Sequence, residues 1–140
     1  MAQPITVPVT VRGYETDSQG HLNMSVYIQY AEHARWALFQ AAGISQQALL
    51  TAGIGPVNLE TTIKYLRELR AGDEVEVSCA IVWGERKTFH IEQTITKRDG
   101  TVAAQLDSVA GMLDLKERRM VADPRGTLRD LGADLKLLGL

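Results

Sequence analysis

Apolar and polar positions alternate at Ile5, Val7, Val9 and Val11, which predicts a first strand with one buried face. Over residues 24–42 the spacing changes. No Pro or Gly interrupts that run, and Tyr27, Ile28, Ala31, Ala34, Leu38 and Ala41 recur at helical intervals. Asn23 precedes the helix as an N-cap, and Gly43 follows it as a stop. Ser45 caps a shorter helix reaching about residue 52. Beyond Pro56 the two-residue period returns, and residues 60–66, 74–83, 88–97 and 102–115 read as strands. In the second of these, Val75, Val77, Cys79, Ile81 and Trp83 alternate with Glu74, Glu76 and Ser78, as one buried face demands. Asp99-Gly100 predicts a type I′ hairpin between the last two strands. Asp123-Pro124 ends the sheet region, and Leu128, Leu131 and Leu135 allow a final amphipathic turn or two.

One strand, one long helix and then about four strands predict an α+β fold, with an antiparallel sheet packed on the helix. A helix of about 19 residues is ~28 Å long, enough to lie along the whole sheet. Its small residues, Ala31, Ala34, Ala37, Ala41 and Ala42, allow the sheet to curl closely around it. At 140 residues and 15.4 kDa, the chain is expected to form one domain over 1–140 with one core. A net charge of −2 argues against a nucleic-acid partner, and no 18-residue apolar run offers a membrane span. The start MAQPITVPVT lacks the basic and apolar regions of a signal peptide. The single cysteine, Cys79, excludes an internal disulfide, so the expected location is cytoplasmic.

Most chemical signals in the chain are weak. His21, His33 and His90 lack metal-ligand spacing, so no metal site is expected. Gly53-Ile54-Gly55-Pro56 lacks the third glycine and following helix of a dinucleotide loop. No G-x-S-x-G elbow is present, and Cys79 falls in phase with core residues. There remains the connection Tyr14-Glu15-Thr16-Asp17-Ser18-Gln19-Gly20-His21-Leu22-Asn23. Asp17, Ser18 and Gly20 are turn formers and Asn23 a cap. The same stretch sets a carboxylate just upstream of a helix start, whose unpaired N–H groups and dipole favour a developing oxyanion. On the residues alone both readings stand.

Val11-Arg12-Gly13-Tyr14, Asp17, Gly20-His21-Leu22-Asn23 and Tyr27, continued by Glu32-His33-Ala34-Arg35-Trp36, resemble the signature of hotdog-fold acyl-CoA thioesterases. The nearest branch is the 4-hydroxybenzoyl-CoA thioesterase family, including its bacterial long-chain acyl-CoA members. Weaker similarity continues through Tyr65-Leu66-Arg67, Gly72-Asp73-Glu74-Val75 and Asp99-Gly100, covering about residues 5–115. The stretch 125–140 lies outside it, with no role assigned. The resemblance implies a curved sheet of about five strands wrapped around the central helix. It makes Asp17 the catalytic carboxylate, as nucleophile or general base, and the Met24 N–H the oxyanion donor. It has His21 and Asn23 orient the thioester or the attacking water, while Gly20, Tyr27, Lys87 and Thr88 bind substrate. Tyr27 also fits plain core packing, Lys87 and Thr88 plain strand polarity, and Glu32 with Arg35 a surface pair. Many relatives carry a second asparagine where Met24 stands, which leaves the acyl group undetermined.

The implied reaction is hydrolysis of an acyl-CoA to carboxylic acid and coenzyme A, with no cofactor and with a homodimer or homotetramer as the working form. The alternatives are a thioesterase acting on carrier-protein-bound acyl or polyketide chains, and a non-catalytic acyl-ligand-binding protein of the same fold.

Overall fold

A computed structural model describes residues 5–132 and 134–140. The elements run β1 (Ile5–Thr10), α1 (Met24–Ala41), α2 (Gln46–Ala52), β2 (Ile54–Tyr65), β3 (Glu74–Trp83), β4 (Thr88–Lys97), β5 (Val102–Asp114), β6 (Arg119–Met120) and α3 (Pro124–Leu131). The strands form one antiparallel sheet in the order β1-β3-β4-β5-β2, with β6 paired to β5. This is the α+β hotdog arrangement, with the sheet curled around α1.

The helix buries Val26, Tyr27, Tyr30, Ala31, Ala34, Leu38 and Phe39 and packs chiefly on β3 and β1. Ala31 and Ala34 are fully buried, which lets the strands approach the helix backbone. Each fully buried large side chain, such as Leu38, stabilises the fold by ~1.5–3 kcal/mol. Gln93 is a buried exception whose Nε2 donates to the Ala31 carbonyl at 2.7 Å, tying β4 to the middle of α1. Ile28 and Ala41 differ from the sequence expectation. Both are exposed, and Val26 and Tyr30 take their places in the core. Ile28 instead faces a groove beside Pro56, Val57 and Asn58 of β2.

Two further differences have local causes. Strand β2 begins at Ile54, six residues before the expected start, and runs through Pro56. Proline cannot donate to a ladder, but β2 is an edge strand bonded on one side only, where a missing N–H is harmless. The Asp99-Gly100 turn carries one positive φ, 92° at Gly100, where type I′ needs two. Lys97 N–H instead bonds to the Thr101 carbonyl at 2.7 Å across a three-residue loop. Beyond the sheet, Asp123 caps α3 by accepting from the Gly126 N–H at 3.0 Å, with Pro124 in its first turn. The segment after β6 thus covers one end of the core, with Leu128 and Leu138 fully buried. Among the described residues no helix is long and apolar enough to cross a membrane.

Candidate active site

The connection between β1 and α1 folds back on itself. Thr16 bridges Leu22, and Asp17 N–H bonds to the His21 carbonyl at 2.8 Å. Gly20 closes the turn by donating to the Asp17 carbonyl at 3.0 Å, with φ at 77°, a value that disfavours any residue with a Cβ. His21 bridges Arg70 and Leu22 N–H reaches the Leu69 carbonyl at 2.7 Å, so the loop is sewn to the β2–β3 connection. Leu22 and Leu69 are buried beneath it.

Asp17 serves the turn and also borders open space. Its Oδ1 accepts from the Gln19 N–H at 2.9 Å and the His21 N–H at 3.2 Å, the bonds of a turn former. Its side chain also lines a cavity of about 450 Å³ together with His21, Asn23, Met24, Tyr27 and Tyr65. Oδ2 takes no hydrogen bond among the described residues and remains available for chemistry. Asn23 is the N-cap, its Oδ1 accepting from the Ser25 N–H at 3.0 Å and from Ser25 Oγ at 2.9 Å. The first helical amide, at Met24, takes no partner among the described residues, as expected at a helix start. Asp17 and Met24, whose N–H is unpaired among the described residues at the positive end of α1, therefore line one cavity.

The cavity wall is aromatic. Tyr27 and Tyr65 meet edge to face, centroids 5.0 Å apart at 88°. Tyr65 Oη donates to the Met24 carbonyl at 3.1 Å and Tyr27 Oη to the Arg67 carbonyl at 3.3 Å. Burial pushes the Tyr27 phenol above its usual range, so it keeps its proton at neutral pH. His21 Nε2 lies 2.9 Å from Glu68, whose other oxygen takes Arg70 at 3.1 Å. Tyr65, Arg67 and Glu68 line the cavity although sequence reasoning gave them no site role. The signal was the Tyr65-Leu66-Arg67 run, which read as similarity without a task.

The structure brings Asp17, His21, Asn23, Met24 and Tyr27 together around the cavity, with Gly20 closing the turn beside them. It does not bring Lys87 and Thr88 there. On β5, Gly111 pairs with Thr88 and Val57, whereas Ala104 pairs with Ile95 and Tyr65. Seven residues at 3.4 Å each put Thr88 ~24 Å along the sheet from the Tyr65 end of the cavity. Glu32 and Arg35 form no pair within the helix. Arg35 Nη1 donates instead to Asn58 Oδ1 at 3.2 Å. Cys79 is fully buried, and burial pushes its thiol up to about 12, leaving it no nucleophile.

Solved structures with similar folds include the Staphylococcus aureus protein SAV2348 in complex with CoA. It is 25% identical with a TM-score of 0.82, over 93% of this chain and 84% of that one. The long-chain acyl-CoA thioesterase FadM of Escherichia coli is 28% identical over 87% of this chain and 92% of its own length. The chloroplastic acyl-acyl carrier protein thioesterase ATL3 of Arabidopsis thaliana is 35% identical over 65% of this chain and 48% of its length. The chain thus spans half or less of the length of several curated relatives. A family model described as the thioesterase-like superfamily matches residues 11–131, and the chain belongs to that superfamily.

Proposed function

We propose that this protein hydrolyses an acyl-CoA thioester, acyl-S-CoA and water giving a carboxylic acid and coenzyme A. The observation that carries this reading is the shared cavity, lined by Asp17, whose Oδ2 is uncommitted, and by Met24, whose N–H is unpaired among the described residues. The thioesterase names of FadM and ATL3 support it. As general base, Asp17 takes a proton from water while the water oxygen bonds to the thioester carbon. As nucleophile, it forms an acyl-enzyme anhydride, expels the CoA thiolate and leaves the anhydride to a later water. Either way the carbonyl oxygen gains negative charge, which the Met24 N–H and the dipole of α1 stabilise by roughly 3 kcal/mol. His21 and Asn23 orient the thioester or the water, and Gly20 and Tyr27 shape the acyl side. The reaction needs no cofactor.

A second copy completes the site in this reading. Strand β2 is a 12-residue edge with one row of backbone groups unpaired, and Leu59, Tyr65 and Leu66 beside it are exposed. Antiparallel pairing of two β2 edges carries the Thr88 end of one protomer toward the Asp17 end of the other, supplying Lys87 and Thr88 in trans. Light scattering at micromolar concentration should give at least a dimer; an active monomer would remove Lys87 and Thr88 from the site.

Identity to ATL3 favours a second substrate reading, an acyl group on a carrier protein rather than on CoA. Thiol release measured with a series of acyl-CoAs and with acyl-carrier proteins separates the two. Higher kcat/KM on carrier substrates replaces the first reading, and no turnover on either overturns both. The exposed Met24, Leu66 and Tyr65 around the cavity make an apolar or aromatic acyl group the expected preference over succinyl or malonyl.

A further inference from the structure

Glu15 stands two residues before Asp17 and is not among the residues that line the cavity. Its side chain is only 10% exposed, although it carries a charge. Every part of it is engaged. Oε1 accepts from the Tyr30 hydroxyl at 2.6 Å and from the Arg12 N–H at 2.9 Å, and Oε2 meets Arg12 Nη1 at 3.2 Å. The Glu15 carbonyl accepts from the Asn23 N–H at 2.9 Å. One residue therefore joins the end of β1 through Arg12, the second turn of α1 through Tyr30, and the helix cap through Asn23.

Those three attachments surround the two groups whose separation decides the chemistry. Asp17 follows Glu15 by two residues, and Met24 follows the amide that Glu15 holds. A buried carboxylate is costly unless fully paired, so its conversion into a hydrogen-bond hub at this point calls for a reason beyond stability. Tyr30 is 4% exposed, and burial followed by the bond to Glu15 pushes its phenol well above its ordinary range, so it remains a donor. The Tyr30 ring, held in the core of α1, gives the loop a rigid reference.

We propose that Glu15, braced by Tyr30, is a positioning residue that sets the distance between Asp17 and the Met24 N–H. The proposal rests on the thioesterase reading for its kinetic consequence but not for its structural one. Small misplacements of a reacting group lower rates by up to about 100-fold.

The test compares Glu15→Gln, Glu15→Ala and Tyr30→Phe on the full chain, in hydrolysis of an acyl-CoA and in amide hydrogen exchange by NMR. Gln keeps an acceptor for the Tyr30 hydroxyl and the Arg12 N–H, and loses only the one for the Arg12 guanidinium. Ala removes it, and Phe removes the donor. The expected result is a kcat loss of about 10- to 100-fold for Ala, a smaller loss for Phe, and recovery to within about threefold of wild type for Gln. KM should stay within about threefold throughout. Exchange at the Asn23 and His21 amides should rise at least about tenfold in Ala relative to Gln, while α3 amides stay unchanged. If Ala fails to fold, Phe against Gln carries the same comparison. An active enzyme whose kcat is indifferent to all three variants, or a loop whose exchange does not change, overturns the proposal. Wild-type protein inactive on every thioester would instead sink the functional reading, and the exchange data would still decide the role of Glu15.

Discussion

Helix α1 meets the rest of the molecule differently at its two ends. At the N-terminal end it starts under a loop that sits on Leu22 and Leu69 and is aimed by hydrogen bonds: Asp17 to His21, Leu22 to Leu69, Asn23 to Glu15, Glu15 to Tyr30. At the C-terminal end the chain beyond β6 closes over it with apolar side chains, Leu128 and Leu138 fully buried, and few polar ties. Asp134 N–H bonds to the Ala42 carbonyl at 3.0 Å, and Trp83 Nε1–H to the Leu138 carbonyl at 2.7 Å. The difference is that between a directional and a non-directional interaction. Hydrogen bonds fix angles and leave polar atoms beside an open cavity, whereas apolar burial stabilises without aiming anything. Chemistry needs the first kind of end, and the second kind supplies stability.

The largest expected effect separates the two ends most sharply. Asp17→Asn keeps an oxygen that can accept from the Gln19 and His21 N–H groups, so the turn survives, while the charge and the oxygen proposed as nucleophile or base are lost. In thoroughly purified protein kcat should fall roughly 10²–10⁴-fold with Tm nearly unchanged. Turnover within a few-fold of wild type would return the loop to a purely structural role. Leu128→Ala is the mirror experiment. It empties a fully buried site on α3 and should cost ~2–5 kcal/mol in urea unfolding while kcat, measured well below the new Tm, holds. A kcat loss comparable to that of Asp17→Asn would show the two ends to be coupled.

Acid should act on one end first. Burial raises the Glu15 carboxyl, but hydrogen bonds from Tyr30 and from the Arg12 backbone and side chain outweigh it, so the net direction is below the ordinary 4.5. A carboxyl depressed on folding contributes stability that is complete above the unfolded value and lost as pH falls through the folded one. Below about pH 4.5, protection of the Asn23 amide, corrected for the slower intrinsic exchange in acid, should therefore be lost earlier than that of the α3 amides. Tyr30→Phe should narrow that gap, because it removes one of the bonds that lower Glu15. Simultaneous loss of protection at both ends would deny the loop a separate acid response.

How much of this was readable beforehand follows from the range of each interaction. The Asp17 turn, the Asn23 cap and the helix run were legible because their bonds connect residues two to four apart. The alternating strands were legible because one face is buried. What the sequence left hidden depends on register. Tyr65, Arg67 and Glu68 reach the cavity only because β2 pairs with β5 in a particular alignment. The same register places Lys87 and Thr88 at the far end of the sheet. Arg35 bonds to Asn58 across 23 positions rather than to Glu32 three away, a choice helical spacing alone would have missed. The early start of β2 was masked by Pro56, whose cost vanishes on an edge strand.

The smallest effect concerns a side-chain hydrogen bond at the apolar end. Trp83 stacks obliquely on Phe89, centroids 4.8 Å apart, and its Nε1–H donates to the Leu138 carbonyl. Trp83→Phe keeps an aromatic ring against Phe89 and deletes the donor, which should cost ~0.5–1.5 kcal/mol for the bond, together with a packing loss from the smaller ring. A double-mutant cycle separates the two contributions. In a chain ending at Leu137 the acceptor is absent, so there Trp83→Phe should cost only the packing part. The difference between the two backgrounds measures the bond, and kcat should be the same in the full-length pair. A coupling energy near zero would mean that the C-terminal residues are held by burial alone. The contrast between a directed end and a merely packed end would then be complete, whereas a coupling above about 1.5 kcal/mol would blur it.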